Sequence, residues 1–117
     1  MPRAVLLTAA LRRQLLQNGQ KSLSQLDFDP VPVVKLFTPD ASATWLLTEI
    51  SPDNPDLAFG LCDLGLGSPE LGYVSLTELA SLRGRLGLPV ERDRWFAPVE
   101  PLSVHLQRAR SDGRIAA

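Results

Sequence analysis

The 117-residue sequence is poor in the side chains that most often carry chemistry, with one cysteine, Cys62, and one histidine, His105. A lone Cys excludes an intramolecular disulfide, and one Cys with one His cannot assemble a Cys/His zinc site within a single chain. Both counts fit a reducing compartment, and a cytoplasmic location is expected. Long apolar runs are also missing. The apolar stretch at residues 4–10 is broken by Thr8, is followed by Arg12 and Arg13, and is far too short for a bilayer. A soluble, non-secreted protein with no membrane contact is therefore expected. The third absence is cationic: from Leu36 to Leu82, 47 residues pass without a Lys or Arg, while Asp40, Glu49, Asp53, Asp56, Asp63, Glu70 and Glu78 all fall there. The two ends hold the basic residues, so the segment charges are about +3, −7 and +3, hidden inside a net charge of −1.

What is present is ordinary for a globular chain: 44% apolar and 21% charged residues, outside the regime of disorder. The length suits a single domain over residues 1–117, with 111–117 reading as a flexible tail.

Residues 3–18 lack Pro and Gly, and Leu7, Leu11 and Leu15 repeat on one helical face. Asn18-Gly19 reads as the stop of that helix. Pro30 and Pro32 bracket an extended entry to a strand over 31–37, closed by the turn Thr38-Pro39-Asp40-Ala41. The best-defined unit is a hairpin. TWLLTEI (44–50) and LAFGLCD (57–63) are strand-like and separated by SPDNPD, a loop with two prolines. Pairing Ile50 with Leu57 puts Leu46, Ile50, Leu57, Phe59 and Leu61 on a core face. Trp45, Leu47 and Glu49 then face Ala58, Gly60 and Cys62 on a second face, covered in part by a helix or a partner. Gly72-Tyr73-Val74 reads as a short strand. Ser75 and Glu78 fit a capping box that opens a helix near Leu76, with Leu79, Leu82 and Leu86 on one face and Gly87 with Pro89 as its stop. Residues 90–96 read as an edge strand and 101–110 as a final helix. The expected fold is α+β: an antiparallel sheet of four to five strands around a central hairpin, with helices packed on it, including N-terminal and C-terminal ones.

Few residues offer catalysis. Cys62 lies mid-strand among apolar neighbours, which predicts an inert thiol rather than a dyad with His105. SPDNPD lacks the mid-loop Gly and terminal Glu of a calcium loop, and the glycines of LGLGSPELG (64–72) lack a P-loop Lys. A metal nuclease would need Asp40, Glu49 and Asp63 to converge. No catalytic residue, metal or cofactor is expected.

Three strings carry a resemblance: PVVKLFTPDASATWLLTEI (32–50), DLAFGLCDLGLGSPELGYVSLTEL (56–79) and GLPVERD (87–93). Across nearly its whole length the chain resembles domain of unknown function family 2958. The resemblance implies an accessory product of bacterial plasmids and integrative elements, found near antirestriction-type genes. It brings no catalytic residues to transfer.

An electronegative surface repels nucleic acid and steers basic protein surfaces toward it. The expectation is a non-enzymatic interaction protein of a mobile element, with an anti-defence role. Its partner-binding face would be Asp40, Trp45, Glu49, Asp53, Asp56, Asp63 and Glu70, meeting a basic protein surface, with no nucleic acid at the central segment. Two alternatives stay open: a carboxylate-dependent metal hydrolase, and a regulator contacting DNA through Arg83, Arg85, Arg92 and Arg94. The basic ends, folded back on the acidic middle, would neutralise it.

Overall fold

The hairpin organises everything else. A computed structural model describes residues 6–116; positions 3–5 of the expected first helix and Ala117 of the expected tail lie outside the described residues. The elements are α1 (Ala9–Ser24), β1 (Val34–Phe37), β2 (Thr44–Ile50), β3 (Leu57–Asp63), β4 (Glu70–Ser75), α2 (Leu76–Ser81), β5 (Glu91–Arg92) and α3 (Leu102–Asp112). The strands form one open antiparallel sheet in the order β4-β3-β2-β1-β5. The fold is α+β, and β2 and β3 occupy the bounds read from the sequence.

Both faces of the sheet are covered. On one, Leu15 of α1 and Leu76 and Leu79 of α2 pack with Val34, Leu36, Trp45, Leu47, Ile50 and Ala58. On the other, Leu102 and Ala109 of α3 pack with Leu46 and Leu61, with Phe59 at the margin. Complete burial of a Leu or Ile is worth about 1.5–3 kcal/mol, so the fully enclosed Leu15, Leu36, Leu46, Leu47, Ile50 and Leu61 anchor the fold.

Pairing follows the expected register from Thr44↔Asp63 to Leu47↔Gly60, then slips: Glu49 faces Phe59 and Ile50 faces Ala58. Thr48 is the extra residue of a β-bulge, and its hydroxyl donates to the Phe59 carbonyl at 3.2 Å. A single inserted residue inverts the sidedness of all that follows. Ile50 therefore joins Trp45 and Leu47, and the face expected to be half-open holds the larger core.

The first helix does not stop at Asn18-Gly19. It runs on to Ser24, with Thr8 as its N-cap accepting from the Leu11 amide at 3.1 Å. Gly19 is instead where α1 lies against the bulged strand: a Cβ there would stand 2.0 Å from the Ile50 carbonyl oxygen. Beside it, the Asn18 amide donates to the Thr48 carbonyl at 2.8 Å, and the Ser22 hydroxyl to Glu49 at 2.6 Å.

The helix α2 ends at Ser81, short of the expected reach to Leu86. The chain then makes a tight turn, closed by Gly84 N–H to the Leu88 carbonyl and an Arg83↔Pro89 bridge, which leaves Leu82, Leu86 and Leu88 exposed. Only Glu91 and Arg92 of the expected strand 90–96 pair with β1. Asp93 ends it, accepting from the Trp95 amide at 2.9 Å in a side-chain turn. Beyond α3, Gly113 closes the helix in the left-handed region and the Ile115 amide donates to Asp63 at 2.8 Å, so this part of the expected tail is hydrogen-bonded to the sheet.

Candidate functional site

The carboxylates that sequence reasoning grouped into one binding face sit at two ends of the sheet. Thr44↔Asp63 marks one end of the hairpin and Ile50↔Ala58 the other, six residues or about 20 Å away along a strand. Glu49, Asp53 and Asp56 belong to the loop end; Asp63 and Glu70, which pairs with Cys62, belong to the opposite end.

Most of them hold backbone. Asp56 accepts from the Ser75 hydroxyl at 2.5 Å and from the Thr77 amide and hydroxyl at 2.9 and 2.7 Å, capping α2 from the hairpin loop. Those bonds, the Ser75 one first, hold its carboxyl below the usual aspartate range. Asp40 accepts from the Leu86 and Leu88 amides at 2.6 and 3.3 Å. Asp63 is 2% exposed and accepts from the Gly65 and Ile115 amides, both at 2.8 Å. Glu49 is taken by Ser22. Trp45, expected as an aromatic anchor of the face, is 3% exposed beneath α1. Of the proposed set, Asp53 and Glu70 project into solvent. Asp40, Glu49 and Asp63 do not converge, and no group of three or more His, Cys, Asp or Glu side chains among the described residues could hold a metal ion.

The concave site is elsewhere. A groove of about 1140 Å³ runs along the β1–β5 side of the sheet, between the 38–44 turn, the 89–95 segment and the 113–115 segment. Lys35, Arg92, Arg94 and Arg114 line it with Asp63, Glu91 and Asp93. Lys35 pairs with Asp93 at 3.7 Å, the Asp93 amide donates to the Lys35 carbonyl at 3.0 Å, and the Arg92 guanidinium donates to the Leu6 carbonyl at 2.8 Å. Asp63 and Asp93 are thus already engaged by internal donors, while Arg94, Arg114 and Glu91 are exposed, so the solvent-facing charge is cationic by one. On the rim stands Trp95, 93% exposed. Trp is enriched among the residues that dominate binding energy, which makes an exposed Trp beside a groove a candidate anchor.

Residues 6–116 match the family described as "Protein of unknown function (DUF2958)". The chain belongs to this family. No curated protein and no solved structure matches it.

The match spans the whole groove of this DUF2958 protein, as well as its only Cys and His. Cys62 packs with the α1 side of the sheet, while His105 lies on α3 across it. The dyad weighed from sequence is therefore split by the sheet. Burial pushes the Cys62 thiol up, and burial, then Arg108, pushes His105 down. No helix among the described residues is long and apolar enough to cross a membrane. The strand expected over 90–96 takes in Trp95 and does not mark it as exposed. The signal available was Trp95 adjoining Arg94, two positions beyond an Asp that ends strands.

Proposed function

We propose that this DUF2958 protein is a non-enzymatic interaction protein, an accessory product of a mobile element with an anti-defence role, and that it engages a protein partner through the Trp95 groove. The observation that carries this reading is the near-complete exposure of Trp95 beside Arg94 and Arg114. Burying a Trp against a partner supplies a large part of a contact's energy, and neighbouring guanidiniums set its sign. The complementary surface is apolar with acidic neighbours, opposite in sign to the basic partner that the charge map alone suggests. The solvent carboxylates Asp53 and Glu70 remain for steering.

The test is affinity capture from the native host with three baits: wild type, Trp95→Ala, and the double variant Asp53→Asn/Glu70→Gln. Trp95→Ala should lose the partner at unchanged melting temperature, because Trp95 packs against little of its own chain. Loss in the double variant alone would return the contact to the acidic residues. A second reading, contact with single-stranded nucleic acid, is favoured by Arg92, Arg94 and Trp95 lining one groove, since bases stack on exposed aromatics. A net charge of −1 and a pI near 5.7 favour the protein partner. Oligonucleotide anisotropy separates the two: salt-sensitive binding abolished by Trp95→Ala would establish the second.

A further inference from the structure

The two edges of the sheet are built differently. At one, β5 is two residues long and both are charged, which are common protections against pairing with another chain; a proline precedes each edge strand, Pro89 before β5 and Pro69 before β4, and does not distinguish them. At the other, β4 runs six residues, Glu70–Ser75, with Glu70 as its one charge and no Lys, Pro or bulge. Its outer backbone groups can be assigned. The Ser51 amide donates to the Leu57 carbonyl, so Leu57 faces β2 and, by alternation, Ala58, Gly60 and Cys62 face β4. Their partners Val74, Gly72 and Glu70 turn inward, as the Leu76 amide bond to the Asp56 carbonyl also requires. Leu71 and Tyr73 then point their N–H and C=O groups outward. Their side chains are 41% and 59% exposed, and the Tyr73 ring tilts onto Phe59 with centroids 5.1 Å apart.

We propose that β4 pairs antiparallel with β4 of a second copy about a two-fold axis through Gly72, extending the sheet across a homodimer. In this register Leu71 faces Tyr73 of the other copy and the reverse, so the outward donors and acceptors of the two copies satisfy each other in four bonds. One apolar row, Leu71 with Tyr73 twice over, forms above Phe59. Glu70 faces Val74 of the other copy, not Glu70, so no like charges meet. Gly72 falls at the non-hydrogen-bonded centre, where Cα atoms approach to about 4.5 Å. Among the described residues nothing explains a glycine there: its φ is ordinary and a Cβ would meet no atom within 4 Å. Glycine inside a strand often marks the close approach of another backbone.

The experiment is sedimentation equilibrium of wild type, Gly72→Lys, Gly72→Glu and an equimolar mixture of the two variants, from about 1 to about 300 μM, a range that covers a small interface. Wild type should shift with concentration from the 12.8 kDa chain mass toward twice that mass. Each variant sets identical charges against each other across the axis, so each alone should weaken association on the order of tenfold or more, and the mixture should restore it. At about 1 μM, where the chain is monomeric, open space at position 72 predicts unchanged melting for both variants. If either fails to fold, Leu71→Lys, an edge charge on an exposed side chain, takes its place. A monomer at every concentration overturns the proposal, and so does a dimer that the variants leave unchanged.

Discussion

Gly19→Ala should destabilise the protein, although a helix interior ordinarily gains about 1 kcal/mol from that exchange. The magnitude follows from the contact with the bulged strand. A Cβ at position 19 would lie 2.0 Å from the Ile50 carbonyl oxygen and 3.1 Å from its carbon, where contacts under 3.0 Å are essentially never seen. Relief requires α1 to withdraw by about 1 Å. Withdrawal strains the bond from Asn18 to the Thr48 carbonyl and loosens Leu15 in the core. Overpacking costs about 1–3 kcal/mol, and an unsatisfied buried carbonyl a further 1–3 kcal/mol or so. Less the propensity gain, the net loss is about 3 kcal/mol, or roughly 10 °C in melting temperature for a domain of this size. Urea unfolding followed by far-ultraviolet circular dichroism measures it. Gly72→Ala, measured on the monomer at about 1 μM, is the control, because no described residue stands where its Cβ would go, and there it should be neutral or slightly stabilising. A Gly19→Ala variant as stable as wild type would refute the docking argument and restore helix propensity as the controlling term.

Asp56 links the fold to pH. Its folded pKa lies below the unfolded value of 3.8, so its contribution is complete above that value and is lost as pH falls through the lower, folded one. Asp56→Asn should therefore melt earlier at neutral pH, with the gap to wild type closing in acid; a gap independent of pH would contradict the capping role. Cys62, half-buried and raised by burial, should react with a thiol reagent at neutral pH at least about tenfold more slowly in the folded than in the denatured protein. Equal rates would place the thiol at the surface.

The hairpin was legible in the sequence because its signals are local: two β-rich runs, a loop of prolines and self-bonding residues, and Ser75 before α2. Its bulge was not, since Thr48 looks like any other strand residue until Asn18 of a distant helix takes its carbonyl. Asn18-Gly19 carried a correct signal for an unusual backbone requirement and the wrong meaning, because close approach of a strand and a helix stop favour the same residue. The reach of α2 failed for a similar reason. Leu79, Leu82 and Leu86 keep helical spacing, but Asp40, more than forty positions earlier, captures the Leu86 and Leu88 amides and holds that segment as a turn. Trp95 escaped notice because burial is decided by tertiary packing, which buries one tryptophan and exposes the other.

The acidic middle of the chain has an architectural origin. Backbone N–H groups at helix starts and in tight turns need acceptors, and a carboxylate offers two oxygens to several of them at once. Asp56 serves α2 in this way. Asp29 serves α3, accepting from the Ser103 amide and hydroxyl where Pro101 offers no side-chain cap. Asp40 and Asp63 hold two turns and the segment after α3. Each joins parts of the chain 21 to 74 positions apart, so these acids act as long-range ties whose partners are amides and hydroxyls rather than cations. A carboxylate tied to the chain's own amides keeps its charge but has fewer oxygens left for direct contact with a partner. Recognition is then left to what the fold projects and does not use, and on the β5 side of the sheet that is Trp95 with Arg94 and Arg114.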